Sequence, residues 1–482
     1  MPSMQWDKGT DNAPRTTKEQ AALEAFSAAL TERVGPKASF AEIEAAGLKL
    51  GNELCLEHQR SDLSRRAARW TSEELRIDGA VYRYHEDGSE IVHSLCGSFR
   101  VSRASYREVG VHNGRIVFPL DLDAGLLSGA TPALAFKLCE GYSQAPSREV
   151  HKALLSSHRE PPSRSAMERI SKALGGQIKS AVARLEPVVR AQERLPIGTH
   201  ALAVGLDRTS APMEERLKED ALAKYRNRRT KPYIRSRPDP VEVNYRMAYV
   251  GTVSALDLDG RVLVTRKYGA SAEEGPTAIL ERMMADVHFS RARSPRIPIA
   301  LVQDGAPEMW SLTRAAVART TGEAPSFEAV DRHHVVERLA DVLAIARTPR
   351  AGRAAQLHQW NRSLDGDDGA IDKIERKVID LRNKQKGKAR QKLDEHLTYL
   401  ANNKDRMRYA SLRQAGLPVG SGPTEGACKS LVMVRAKGSG QRWHPPGLDA
   451  VLTLRGLDLS DRLAPVFDLF ARENVGSIEV AA

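Results

Sequence analysis

The sequence of 482 residues predicts a mixed α/β chain: a sheet flanked by helices, with a long helical insertion and a mixed region ahead of it. Three observations lead there. Short apolar runs ending in an aspartate, HALAVGLD at 200–207 and RIPIALVQDG at 296–305, read as buried strands. Hairpin and strand–helix text surrounds them. Residues 335–415 are helical in pattern throughout, without period-two alternation.

The elements follow in order. AALEAFSAALTERV and FAEIEAAGLKL, within 20–50, read as alanine-rich helices. VYRYH, SFRVSRASYREVGVHNG and RIVFPL, within 80–120, alternate apolar and polar residues, with turns expected at Asp87-Gly88 and Asn113-Gly114. They predict a small antiparallel sheet, so 1–118 is a mixed N-terminal region. Residues 119–197 turn helical. TPALAFKLCEGY starts at Thr131-Pro132, and SREVHKALLSS follows. After Pro161-Pro162, Ser163 caps a helix expected to close at Gly175, and QIKSAVARLEPVVRAQERL leads out. Two short helices around a tight break form a helix-turn-helix-like segment, whose second helix would read a DNA groove. An ordinary helical hairpin accounts for the text as well.

Residues 198–460 form the next expected domain, with the helical insertion at about 340–415 and a tail at 461–482. YRMAYVGTVSALD and GRVLVTRKYGA pair through a turn at Asp259-Gly260. The helix GPTAILERMMADV, the strand ending at Asp304, the helix APEMWSLTRAAVART and the strand-to-helix junction SFEAVDRHHVV complete the order of an RNase H-like core. Within the insertion, nine basic and five acidic residues lie between Ile371 and Leu400.

Charge selects the partner class. Lysine and arginine exceed the acids to give a net charge of +12, which favours polyanions. No run of eighteen apolar residues and no secretory apolar segment near Met1 stands in the text, so no membrane role and a cytoplasmic protein are expected. The four cysteines, Cys55, Cys96, Cys139 and Cys428, form no CxxC, which argues against a zinc ribbon and a disulfide scaffold.

Asp207 and Asp304 each follow a buried run, at the strand end where open α/β sheets place ligands. Converging carboxylates call for a cation, and hard oxygen ligands suit Mg²⁺ or Mn²⁺. The other reading is a cap or turn at each, which Thr209, Ser210 and Pro212, and Gly305-Ala306-Pro307, would suit. Glu425, in GLPVGSGPTEGACKS, would supply a third carboxylate from the first turn of a helix. Three such groups can hold the two metal ions that phosphoryl transfer uses. Asp331 and His334, three apart in DRHHVVERL, would sit on one helix face as accessory groups or as a structural pair. The 224–237 segment KYRNRRTKPYIRSR has seven basic residues and no acid. Lys224, Arg226, Arg228, Arg229, Lys231, Arg235 and Arg237 are expected to meet DNA phosphates, unless the segment is a solvated loop. Arg435, Lys437, Arg442 and Trp443 extend the expected DNA-contacting set around Glu425.

The passages GLDRTSAPM, VQDGAPEMW, DRHHVVERL, NNKDRMRY and GLPVGSGPTEGACKSLVMVRAKGSGQRW resemble bacterial insertion-sequence transposases of the ISKra type, related to the ISL and Mutator-like groups. The resemblance covers roughly 195–460. It implies an RNase H-like catalytic core with a helical insertion and a DDE triad of Asp207, Asp304 and Glu425. It matches Asp331 and His334 to an aspartate-x-x-histidine element, and Arg442 and Trp443 to an Arg-Trp pair. The implied activity is metal-dependent strand cleavage and transfer at terminal inverted repeats of a mobile element. The expected partners are double-stranded DNA with terminal inverted repeats and target DNA, with a homodimer or higher oligomer on DNA, and the expected place is the bacterial cytoplasm, at the nucleoid when bound to DNA. Two departures stand out: the cysteine-rich N-terminal segment of relatives is missing, and the loop reads Pro-Thr-Glu. The rivals are an RNase H-like nuclease or resolvase, which would not join strands, and a domesticated DNA-binding protein without catalysis. A glycosidase using Asp207 and Asp304 fits poorly with 5% aromatic residues and a basic surface.

Overall fold

The computed structural model describes residues 16–227, 240–304, 306–476 and 478–480. The chain divides into two compact units. One takes the described residues of Met1–Ala135, Ser147–Glu168 and Asn474–Ala482; the other takes Phe136–Pro146 and Arg169–Glu473.

The first unit opens with α1 (Thr17–Val34) and α2 (Phe40–Ala67). Thr16 and Ser39 cap them, each answered by a glutamate three residues on, Glu19 and Glu42. A five-stranded antiparallel sheet follows: β1 (Glu74–Ile77), β2 (Ala80–Ser94), β3 (Gly97–Glu108) and β4 (Ile116–Val117), with Ile478–Val480 pairing on β1. Two expectations change here. Asp87-Gly88 lies inside β2, and the hairpin turns instead between Ser94 and Gly97. Residues 83–89 are all exposed there, so the ladder with β3, which pairs Asp87 with Ala104 and Gly88 with Arg103, carries the strand through and overrides the local turn signal. The second change is the tail. Its last described residues are an edge strand, specified by pairing with a partner about four hundred residues earlier.

Helices α3 (Pro119–Ala124), α4 (Pro132–Gln144), α5 (Ser147–Ser156) and α6 (Arg164–Gln192) come next. Contrary to the expected stop at Gly175, α6 runs unbroken for 29 residues. A Cβ at Gly175 would lie 3.1 Å from the Ala450 Cβ and 3.3 Å from Leu454 Cδ1. This glycine serves close helix packing, and the second short helix of the expected helix-turn-helix-like segment is the start of a long one.

The second unit is built on a sheet of β5 (Ala201–Arg216), β6 (Val241–Leu256), β7 (Val262–Ala270), β8 (Ile299–Gln303) and β9 (Phe327–Val330), with α7 (Glu219–Asn227) between β5 and β6. Strand order is β7-β6-β5-β8-β9. The first three strands are antiparallel, whereas β5-β8 and β8-β9 are parallel. Helices α8 (Gly275–Arg293) and α9 (Pro307–Thr321) provide the crossovers. After β9 comes α10 (Arg332–Ile345). The insertion is α11 (Arg350–Gly366), α12 (Ala370–Asn383), α13 (Gly387–Asn403) and α14 (Tyr409–Gln414). The chain returns as α15 (Gly422–Ala427), a π-helical segment (Cys428–Met433) and α16 (Val434–Ala436), then α17 (Pro445–Asp458) and α18 (Leu463–Glu473).

The sheet is covered on both faces, which is why β5 and β8 read as continuous apolar runs. Successive side chains alternate between faces. Leu206 stands opposite Gly251, and a Cβ on Gly251 would lie 2.2 Å from the Met283 sulfur, so this face packs on α8. Gly205 stands opposite Thr252 on the other face, under α15. The first face builds a core with Val204, Leu301, Met283, Trp310 and Val335; the second packs Ala211, Met213 and Val250 against Leu431 and Leu452. No described helix is long and apolar enough to cross a membrane.

Candidate active site

Register brings the aspartates together. Val204 pairs with Leu301 across β5 and β8, and three residues further on Asp207 stands level with Asp304. Gln303 pairs with Val330 across β8 and β9, and one residue on Asp304 stands level with Asp331. Neighbouring strands lie about 4.8 Å apart. Three carboxylates therefore follow one another along the carboxyl edge of three adjacent parallel strands. One expectation is refined: Asp207 does not end its strand. Parallel pairing with β8 ends at Val204, three residues before it, while β5 continues to Arg216 alongside β6.

A single helix spans this edge. Its docking rests on Gly205, where a Cβ would lie 2.1 Å from Thr424 Oγ1 and 3.1 Å from the Val302 carbonyl oxygen. Thr424 and Thr252 share a hydroxyl hydrogen bond of 2.7 Å beside it. Ser421, Glu425 and Cys428 occupy one face, four and then three residues apart. Ser421 donates from N and Oγ to Asp331 Oδ2, both at 2.5 Å. Glu425 Oε1 lies 3.4 Å from His334 Nε2 and accepts from Ser421 Oγ at 3.5 Å. Cys428 Sγ donates to Asp207 Oδ2 at 3.3 Å, at the first residue of the π-helical segment. Such segments are rare and concentrate at functional sites.

The aspartates differ in environment. Burial and then the nearby Asp304 charge push the Asp207 carboxyl up, against hydrogen bonds from the Arg208 N–H and Cys428 and the charge of His334. Burial also opposes ionisation of Asp331, but hydrogen bonds from Ser421 and from the His333 and His334 N–H groups win and hold it low. Both of its oxygens are thereby occupied: Oδ1 caps α10 and Oδ2 holds the Gly-Ser-Gly loop. Asp331 is thus a cap preceding the helix, with His334 in the first turn. Asp304 has one oxygen bonded to the Ala306 N–H at 3.2 Å, as a turn residue would. Burial, with the Asp207 charge, pushes the Cys428 thiol far above its ordinary range, so it remains a donor.

Cys428 escaped the sequence reading, although its spacing from Ser421 and Glu425 would have shown it once a helix was assumed. Around these groups, Lys437 Nζ reaches Thr209 Oγ1 at 3.1 Å and Ser210 Oγ at 3.3 Å. Arg442 is exposed and pairs with Glu214 at 2.8 Å. Of the expected DNA contacts, Arg435 is buried and Trp443 is half-buried, and both have partners within the protein. Arg435 is 3% exposed, donates to the Tyr142 carbonyl and lies 4.8 Å from the Trp443 ring centroid. Trp443 donates from Nε1 to the Ala436 carbonyl and bridges to Met213 on β5, which closes the loop over the strand. Lys224 and Arg226 lie on α7; Arg228, Arg229, Lys231, Arg235 and Arg237 lie outside the described residues.

Asp207, Asp304 and Glu425 offer hard oxygen donors, the type Mg²⁺ and Mn²⁺ take. A cation would relieve the burial and repulsion acting on Asp207. Among the described residues, no group of three or more His, Cys, Asp or Glu is arranged to hold a metal ion. Glu425 faces His334 in this arrangement.

No family model matches the sequence, and no curated protein matches it. Among solved structures, the Drosophila P element transposase strand transfer complex is a distant likeness. It has 10% identity and a TM-score of 0.26, and the match covers 71% of this chain and 82% of that chain.

Proposed function

We propose that the second unit is an RNase H-like polynucleotidyl transferase, a DDE transposase that cleaves and joins DNA strands at the terminal inverted repeats of a mobile element. The observation supporting it is the register that levels Asp207 with Asp304 beneath a helix bearing Glu425. The strand order, three antiparallel strands followed by two parallel ones, fits that fold. A net charge of +12 suits a DNA substrate. Asp207, Asp304 and Glu425 would hold Mg²⁺ or Mn²⁺, and Asp331 would act by fixing the Gly-Ser-Gly loop. Divalent ions there supply activation of the attacking oxygen and stabilisation of the leaving one. The carboxylates hold and orient; Lys437 and Arg442 add positive charge beside them.

The test is cleavage and joining of DNA bearing the element's ends, with Mg²⁺ and with EDTA. Both reactions should appear with metal and vanish with EDTA. Strong cleavage in EDTA would overturn the mechanism, and cleavage without joining would point to a nuclease.

Cys428 supplies a finer test, as a positioning residue. Cys428→Val removes the donor to Asp207 and should lower cleavage about 10–100-fold, the usual cost of losing a partner that orients a ligand. Cys428→Ser keeps a donor and should recover most of it. Parental cleavage by a folded Cys428→Val protein would show that the thiol only packs.

A further inference from the structure

The turn between α12 and α13 and the start of α13 carry an unbalanced charge. Lys384, Lys386, Lys388, Arg390 and Lys392 are all exposed, and 383–393 contains no acid. None of the five forms an ion pair among the described residues, and the next acid, Asp394, is taken by Arg382 at 2.7 Å. Several cations elsewhere in the second unit are matched: Arg462 pairs with Glu193 and Asp286, Arg282 with Glu186, and Arg314 and Arg406 with Glu328. The placement is unfavourable in isolation. The first turn of α13 has no acidic residue, and positive charge there opposes the helix dipole as well as its like-charged neighbours.

We propose that this helical turn is a contact surface for the phosphate backbone of duplex DNA, which rests on the function proposed above. An anionic strand is the partner that offsets such a cluster. The chemistry favours duplex DNA over the alternatives. No aromatic lies in 384–392 on which unpaired bases could stack, and no large apolar side chain that could enter a bilayer. Position agrees. Gln385 Nε2 donates to the Ala346 carbonyl, at the far end of α10. The near end of α10 is the Asp331 cap at the carboxylate edge. Fourteen residues of helix span roughly 20 Å. That is about six base pairs of duplex, so one DNA segment can meet both places.

The experiment neutralises the cluster in the full chain: Lys384→Gln, Lys386→Gln, Lys388→Gln, Arg390→Gln and Lys392→Gln together. A control of equal charge change replaces Arg33, Arg60, Arg65, Arg83 and Arg184 by glutamine; each is an ion-paired surface arginine. Binding to a linear duplex of arbitrary sequence is followed over a salt series, and melting curves verify folding. The turn variant should lose at least about tenfold in affinity, and its log–log salt slope should shrink by about 0.9 for each phosphate that is no longer neutralised. The control should keep the parental slope. A parental slope in the turn variant would overturn the proposal. So would equal weakening in the control, or binding of the parent to phosphatidylglycerol vesicles as tight as to duplex and abolished in the variant. The two readings separate in this design. Failure to cleave with binding intact removes the transferase reading, and an unchanged slope with cleavage intact removes the phosphate contact.

Discussion

Asp207→Asn, Asp304→Asn and Glu425→Gln should each lower strand cleavage by at least about 10³-fold while leaving duplex binding near the parental level. An amide keeps the size of the carboxylate but removes the charge that holds a divalent ion, whose transition-state stabilisation is worth several kcal/mol. Stability should move in the opposite direction from a simple defect. Burial and Asp304 raise the Asp207 carboxyl, so ionised Asp207 costs the metal-free fold stability. That cost is absent below the unfolded-state pKa and appears as pH rises through the raised folded value. At neutral pH, Asp207→Asn should therefore melt at or above the parental temperature, and the difference should close in acid. With Mg²⁺ the parent should gain more than the variant, because a ligand stabilises the folded state it binds. Paired melting curves and cleavage assays measure both effects. A folded Glu425→Gln protein that cleaves like the parent would remove Glu425 from the site.

Gly205→Ala should damage the same site without touching a carboxylate. Its Cβ would fall 2.1 Å from Thr424 Oγ1, within the core of the contact that docks the Glu425 helix. Overpacking of this kind costs about 1–3 kcal/mol. Displacing Thr424 also shifts its neighbour Glu425, so cleavage should fall about 10–100-fold. Thr424→Ala removes the clashing oxygen, and the double variant should recover part of both losses. Denaturant melts and cleavage rates for the four proteins of the cycle measure it. Simple additivity would mean that the clash is relieved elsewhere and that this contact does not position the helix.

What the sequence determined by itself was local. Runs such as AVGLD and IALVQD announce strands buried on both faces that lead into a carboxylate, because such strands carry apolar residues without alternation. The insertion's helical period, the Asp259-Gly260 turn and the glycine-bounded helix at Glu425 were readable for the same reason: each depends on neighbours within a few residues. Tertiary structure decided the rest. Whether Asp207 meets Asp304 depends on strand register across nearly a hundred residues, which no local pattern encodes. Gly175 looked like a helix stop until the side chains of Ala450 and Leu454 gave it a packing role. Arg435 and Trp443 looked like DNA contacts, since charge and aromaticity are equally suited to a surface and to a clamp. The positions of Tyr142, Ala436 and Met213 give both of them partners within the protein, and burial withdraws Arg435 from the surface. The physical reason is common to these cases. Propensity and period act over a few residues, whereas register, close approach and burial are set by segments that meet only when the chain has folded.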